Sequence, residues 1–305
     1  MTATLPILYQ EIRCPLLEEK AISLTVKRMD LVHPELSGNK WYKLKYNIQE
    51  ANKQGHQQLL TFGGAYSNHI YATAAAAKLA GIHAIGMIRG EEHLPLNPTL
   101  LYARTAGMRL EYLTRTEYRK KDSPDFLDKL KEKFGRFYLI PEGGTNALAV
   151  RGTREILEGK DLDYDFICTS VGTGGTFAGL VSTAHASQKV LGFSALKGDF
   201  IHQDIDRLLY QHQIHPSCDY EIVGKFHFGG YAKYNSELID YIKLFKAETG
   251  IPLDPVYTGK MMYGIMKLIE SGEIPRGSSV LVLHTGGLQG IKGFNARNNT
   301  NLPLT

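Results

Sequence analysis

The sequence predicts an α/β protein built on parallel sheets. Short β-branched or apolar runs bounded by glycine alternate with longer helical patterns. Two separate stretches also repeat the order strand, glycine turn, helix, strand. No linker rich in Pro, Gly or Ser divides the chain and no low-complexity tract occurs. Two lobes remain open, because each βαβ unit can seed its own sheet.

Residues 22–27 (ISLTVK) read as a strand. Residues 39–53 carry Trp41, Leu44, Tyr46 and Ile48 and read as a helix opened by the loop 34–38. A strand at 58–62, a glycine turn at 63–67, an alanine-rich helix at 68–79 and a strand at 84–88 make the first βαβ unit, with the turn at the carboxyl end of its strand. The second unit has a strand at 166–170, a glycine turn at 172–175, a helix at 176–187 and a strand at 190–194. A late strand at 279–284 runs into Gly286 and Gly287. The tail 295–305 is polar and reads as frayed.

At 305 residues the chain can bury a large core or form two lobes around a cleft. Hydrophobic residues make up 43% and charged residues 22%, which excludes the disordered regime. The formal net charge is +4, and the most basic stretch, 115–133, interleaves Asp122, Asp125, Asp128 and Glu132 with its lysines. That pattern is a solvated helix face, not a nucleic-acid footprint, and an anionic ligand stays compatible with the charge. Cys14, Cys168 and Cys218 have no paired spacing, so neither a disulfide framework nor a zinc site is expected. Residues 1–11 lack the basic and apolar regions of a secretory signal, and no apolar run approaches the roughly 20 residues that span a bilayer. The expectations are a reducing cytoplasm, no membrane and no nucleic acid. His212 and His215 lack an acidic partner and no HExxH occurs, so no metal is expected. A GxSxG elbow is absent too.

Three motifs can carry chemistry. In SVGTGGT a strand breaks into Gly172, Thr173, Gly174, Gly175 and Thr176 just before a helix. Such a turn lets the backbone approach a phosphate, or it is a tight connection that binds nothing. No GxxxxGK[ST] occurs, and the run from Gly172 lacks the third glycine of a dinucleotide fingerprint. In GGAYSNH, Ser67 and Asn68 are either helix caps or, with His69 and nearby N–H groups, a grip on a carboxylate. In SGNKWYKLKY, Asn39 and Lys40 sit at a helix start, where a lysine opposes the helix dipole. A carbonyl cofactor would give that lysine a reason, since burial that lowers its pKa also makes it a nucleophile.

Together these motifs, with PEGGTNALAVRG, DPVYTGK and HTGG in this order from about residue 26 to 287, resemble the 1-aminocyclopropane-1-carboxylate (ACC) deaminase and D-cysteine desulfhydrase family. That family belongs to the tryptophan synthase β-like, fold type II enzymes that use pyridoxal 5'-phosphate (PLP). The resemblance implies two open twisted sheets flanked by helices, with a large lobe of residues 1–44 and 150–305 and a small lobe of 45–149. It makes Lys40 the Schiff-base lysine, and Ser67 and Asn68, with His69 beside them, the contacts to substrate carboxylate and cofactor. Asn39 stands next to the cofactor lysine, and Gly172, Thr173, Gly174, Gly175 and Thr176 form the phosphate cup. Tyr231 and Tyr257 flank the reacting part of the substrate.

Thr258 and Thr285 fall where the family divides its two chemistries. ACC deaminases resemble one another in having Glu and Leu there, so the threonines resemble D-cysteine desulfhydrases. A carboxylate near the pyridine nitrogen deepens the electron sink, whereas a hydroxyl leaves the ring closer to neutral. ACC lacks an α-hydrogen and must open a strained ring, so the threonines point to β-elimination. Met29 departs from an acidic residue in many relatives, while Asp30 is kept. The resemblance thus implies a small amino-acid substrate, loss of its α-proton to Lys40 or a neighbouring tyrosine, release of hydrogen sulfide, pyruvate and ammonia, and a homodimer. The alternatives left are ACC deamination to 2-oxobutanoate and ammonia and, from another class, a non-catalytic binder of a phosphorylated metabolite.

Overall fold

The computed structural model describes residues 6–304. The first five residues, part of the amino-terminal reading above, and Thr305 of the tail lie outside them. Ten strands run β1 Tyr9–Ile12, β2 Ser23–Lys27, β3 Gln58–Gly64, β4 His83–Arg89, β5 Met108–Leu113, β6 Tyr138–Ile140, β7 Phe166–Val171, β8 Lys189–Ser194, β9 Asp219–Val223 and β10 Ser279–Leu283. They form a six-stranded sheet in the order β1-β2-β10-β7-β8-β9 and a four-stranded sheet in the order β5-β4-β3-β6. Every pairing is parallel except β1 with β2. The expected α/β architecture of two open sheets flanked by helices is therefore the one formed.

The strands are apolar on both faces because both faces are covered. In β10, Leu281 and Leu283 point into one core, which also takes Ile167, Val171 and residues of the smaller sheet such as Leu59 and Ile88. Val280 and Val282 point into a second core with Cys168, Phe193 and the helices Ser236–Thr249 and Thr258–Ser271. Leu60, Phe62, Ile85 and Met87 face a third core outside the smaller sheet.

Each sheet reverses its strand order once, between β10 and β7 and between β3 and β6. Chain leaving the carboxyl ends of such neighbours diverges and opens a crevice. The two reversals bring four loops together: 64–67, 141–146, 172–174 and 284–289. Two side-chain bonds join them across the sheets, Thr145 with Thr173 at 2.6 Å between hydroxyls, and Gln289 Nε2 donating to Asn68 Oδ1 at 2.6 Å.

The helices Asn39–Lys53 and Asn68–Ala80 form where expected. The helix expected at 176–187 is shorter, Gly175–Val181. Ser182 and Thr183 hydroxyls donate to the Gly179 carbonyl at 2.7 and 3.1 Å, offering the last turn side-chain donors in place of further helix. The tail is also not frayed as far as Leu302. Asn295 Nδ2 donates to the Leu302 carbonyl (2.8 Å), and its Oδ1 accepts from Thr300 Oγ1 and Leu302 N, which seats Leu302 in the core.

Two sequence features find a structural role here. Met29 is fully buried in the first core, so the departure from an acidic residue adds apolar packing. Asp30 takes a bidentate pair from Arg28 (2.9 and 2.8 Å), with His284 Nδ1 at 3.5 Å from Oδ1. The stretch 115–133 is mostly exposed, as a solvated face should be.

Candidate active site

Lys40 is the second residue of the helix Asn39–Lys53, whose start is fixed by Gly38. Gly38 has φ +64°, and a Cβ there would stand 2.0 Å from the Thr285 carbonyl oxygen. That close approach needs glycine. Asn39 N–H donates to the same carbonyl at 3.3 Å, so the helix start is tied to the turn after β10. Desolvation lowers the Lys40 amine to about 8, which relieves the conflict between a cation and a helix amino terminus. Lys40 Nζ donates to Asn39 Oδ1 at 3.2 Å, and Asn39 Nδ2 donates to Thr176 Oγ1 at 2.8 Å. One asparagine thus bridges the amine and the helix that follows the glycine turn.

The turn itself is lined by main chain. A Cβ at Gly172 would lie 3.2 Å from the Tyr257 ring, one at Gly175 3.0 Å from Thr145, and one at Gly174, where φ is +78°, 2.5 Å from Ile205. Beside it lies a cation that sequence reasoning missed. Lys43, almost wholly buried, reaches the Gly143 carbonyl at 2.5 Å, Thr145 Oγ1 at 2.8 Å and Thr173 Oγ1 at 3.3 Å. Burial and then the charge of Lys40 hold its pKa well below the usual lysine range. Lys43 follows Lys40 by three residues, hence on the same helix face, and that spacing was the available signal.

Ser67 takes the capping reading: its Oγ accepts from His69 N at 3.2 Å and Ile70 N at 3.3 Å. Asn68 crosses the cleft to Gln289. The His69 ring does not line the cleft, being 2% exposed and set among Thr61, Thr73 and Gly144. Thr61 gives its one hydroxyl proton to the Ile140 carbonyl (2.8 Å), so His69 Nε2 carries the proton of the 2.7 Å bond between them. Burial first, then Lys40 and Lys43, keep that ring neutral.

Tyr231 and Tyr257 meet edge to face, with centroids 6.1 Å apart at 68°. Burial raises both phenols above the usual value, and their mutual hydrogen bond raises Tyr257 while lowering Tyr231. Thr258 does not offer a free hydroxyl. Its Oγ1 donates to Asp254 Oδ2 at 2.7 Å and accepts from Asp254 N at 2.9 Å. Asp254, buried and unmarked by the sequence reading, also accepts from the main-chain N–H groups of Val256, Tyr257 and Thr258, so its charge is held by the helix start. Thr285 Oγ1 pairs with Ser170 Oγ at 2.9 Å, and Ser170 is a further residue that spacing alone did not single out.

Asn39, Lys40, Asn68 and Thr285 line one small cavity of about 20 Å³ with Tyr71 and Gln289. That is room for about one water. A larger groove of about 440 Å³ lies elsewhere, between Phe226, Phe228 and Tyr263, and holds none of these groups.

Comparison with known proteins agrees with this geometry. The family model described as pyridoxal-phosphate dependent enzyme matches residues 7–286. The chain is 32% identical to the bifunctional mitochondrial D-cysteine desulfhydrase/1-aminocyclopropane-1-carboxylate deaminase of Arabidopsis thaliana, over 88% of this chain and 73% of that one. It is 27% identical to the D-cysteine desulfhydrase of Serratia proteamaculans, over 86% of each chain. Among solved structures, an ACC deaminase homologue superposes with a TM-score of 0.82 at 27% identity, over 97% of this chain and 94% of the other.

Proposed function

Because the chain belongs to the pyridoxal-phosphate dependent enzymes, and within them to the family of ACC deaminases and D-cysteine desulfhydrases, we propose that it removes hydrogen sulfide from D-cysteine by β-elimination. Cysteine and water would give pyruvate, ammonia and hydrogen sulfide. The chemistry of the donor set fits the cofactor: an amine near pKa 8 for its aldehyde, the buried Lys43 amine with two threonine hydroxyls beside a glycine turn for its phosphate, and a hydroxyl pair for its ring nitrogen. When bound, PLP supplies an electron sink for the substrate α-carbon.

Lys40 Nζ holds the cofactor in this reading and then takes the α-proton. The raised phenols of Tyr231 and Tyr257 favour Lys40 over either tyrosine as that base. Each phenol keeps its proton and can hand it to the departing sulfur. Asn68 orients the substrate carboxylate, while Ser67 Oγ caps the helix Asn68–Ala80 behind it by accepting from His69 N and Ile70 N. Lys43, Thr145 and Thr173 serve the phosphate, with Gly172, Gly174 and Gly175 keeping side chains out of its way.

The observation that carries the choice of reaction is the Ser170–Thr285 pair. Two hydroxyls can donate to or accept from a ring nitrogen but cannot hold it charged, and the nearby Asp254 carboxylate is taken up by the Thr258 hydroxyl and the main-chain N–H groups of residues 256–258. A weak sink suffices to lose a proton and expel a thiol.

Parallel assays with D-cysteine, L-cysteine, D-serine and ACC, read as sulfide, pyruvate and 2-oxobutanoate, test the proposal. D-cysteine should give the highest kcat/KM, and a preference for ACC would overturn it. Borohydride should fix the cofactor to a peptide containing Lys40. The same reading assigns residues 45–149 to a smaller lobe, a homodimer as the assembled state and the cytoplasm as the compartment.

A further inference from the structure

Tyr231 sits in a loop whose backbone the chain would not adopt unaided. Phe228 has φ +53°, Gly229 +95°, Gly230 +117° and Ala232 +55°. Two non-glycine residues in the left-handed region persist only where surrounding structure holds them. The main-chain bonds within the turn, Gly230 N to the His227 carbonyl at 3.0 Å and Lys233 N to the Gly230 carbonyl at 3.1 Å, close it on itself. Two side chains tie it to the helix Thr258–Ser271: Phe228 meets Tyr263 edge to face with centroids 5.1 Å apart, and Lys260 supplies the hydrogen bonds. Lys260, 2% exposed, donates through Nζ to the His227 carbonyl at 2.8 Å and to the Gly230 carbonyl at 2.7 Å.

A lysine in the first turn of a helix opposes the dipole, and burying it removes its hydration. An apolar residue would be the ordinary choice for this site. The two carbonyls it meets belong to the residues that bracket the bend immediately before Tyr231. Lys260 also follows Tyr257 by three residues, so one helix face presents both the inner tyrosine and the ammonium that holds the outer one. Tyr231 is itself 45% exposed, so packing alone does not fix its ring.

We propose that Lys260 is a positioning residue: through the His227 and Gly230 carbonyls it latches the strained loop so that the Tyr231 ring stays edge-on to Tyr257. The inference rests on the assignment of Tyr231 to the substrate side of the site. The latch tolerates loss of charge, because a neutral amine still has two N–H donors for two carbonyls, and burial does lower Lys260 to about 8.

The test is a double-mutant cycle of Lys260→Met with Tyr231→Phe in the PLP-loaded enzyme, with turnover expressed per bound cofactor. Lys260→Met should lower kcat at least tenfold, change KM less than threefold, leave the bound-cofactor absorbance intact and speed amide exchange in residues 227–233. The double variant should be no slower than the slower single one. If Tyr231→Phe keeps full kcat, the assignment of Tyr231 fails. If Tyr231→Phe loses kcat while Lys260→Met does not, or if the two losses multiply, the latch is refuted and the assignment stands. Should Lys260→Met not fold, Lys260→Gln, one bond too short to serve both carbonyls, takes its place, and full kcat in that variant refutes the latch equally.

Discussion

Gly38→Ala is the sharpest probe of how the site is assembled. At φ +64° and ψ −148° Gly38 lies in a backbone region essentially confined to glycine, where an alanine costs about 1–3 kcal/mol. Here its Cβ would also lie 2.0 Å from the Thr285 carbonyl oxygen, where real contacts of this kind do not fall below 3.0 Å. The helix start carrying Lys40, or the turn carrying Thr285, must therefore move by about 1 Å. A misplacement of that size in a catalytic array costs roughly 100-fold in rate. Gly81 supplies a glycine of positive φ without the clash: it is left-handed, with φ +66° and ψ 27° at a helix end, and has nothing within 4 Å of its Cβ position. Gly81→Ala should lose about 1–2 kcal/mol in thermal or urea unfolding and keep its kcat. Gly38→Ala should lose kcat about 100-fold per folded molecule, and the yield of borohydride-trapped cofactor should fall with it. If Gly38→Ala matched Gly81→Ala in both stability and turnover, the Gly38–Thr285 contact would not be what positions the amine.

Two further outcomes follow from the lysines. Lys43→Met removes a buried donor beside the glycine turn, worth about 0.5–1.5 kcal/mol, so PLP dissociation constants measured by absorbance titration should rise roughly 2- to 10-fold; unchanged affinity would remove Lys43 from the phosphate site. The neutral Lys40 amine is the form that captures an aldehyde. With its pKa lowered to about 8, capture of PLP by the apoenzyme should quicken as pH rises through about 8 and then level off; a midpoint near the ordinary lysine value would contradict the desolvation argument.

Several features were legible from residue order alone because they depend on neighbours in the chain. Alternation of apolar runs with glycine turns specifies parallel strands whose loops collect at one end, and SGNKWYKLKY specifies a helix with Lys40 at its start. Ser67 and Thr258 could be singled out from their motifs as candidates for substrate and cofactor contact, but the partners of their hydroxyls were not readable. A hydroxyl serves whichever group the fold brings within 3 Å, and here those groups are the next helix turn and Asp254. His69 shared a motif with Asn68 yet lies about 100° round the same helix, where its ring is buried against Thr61.

Lys43 and Lys260 show where local reading stops. In the sequence both are ordinary lysines within helical patterns. Their depressed pKa values come first from the loss of water around them, and their positions from partners about 100 to 130 residues from Lys43 and about 30 from Lys260. Desolvation is a property of packed volume, and volume exists only after the two sheets have closed on each other. The sequence therefore determined which elements form and where their loops gather, while the tertiary structure alone decided which cations lose their water and which hydroxyls remain free to act.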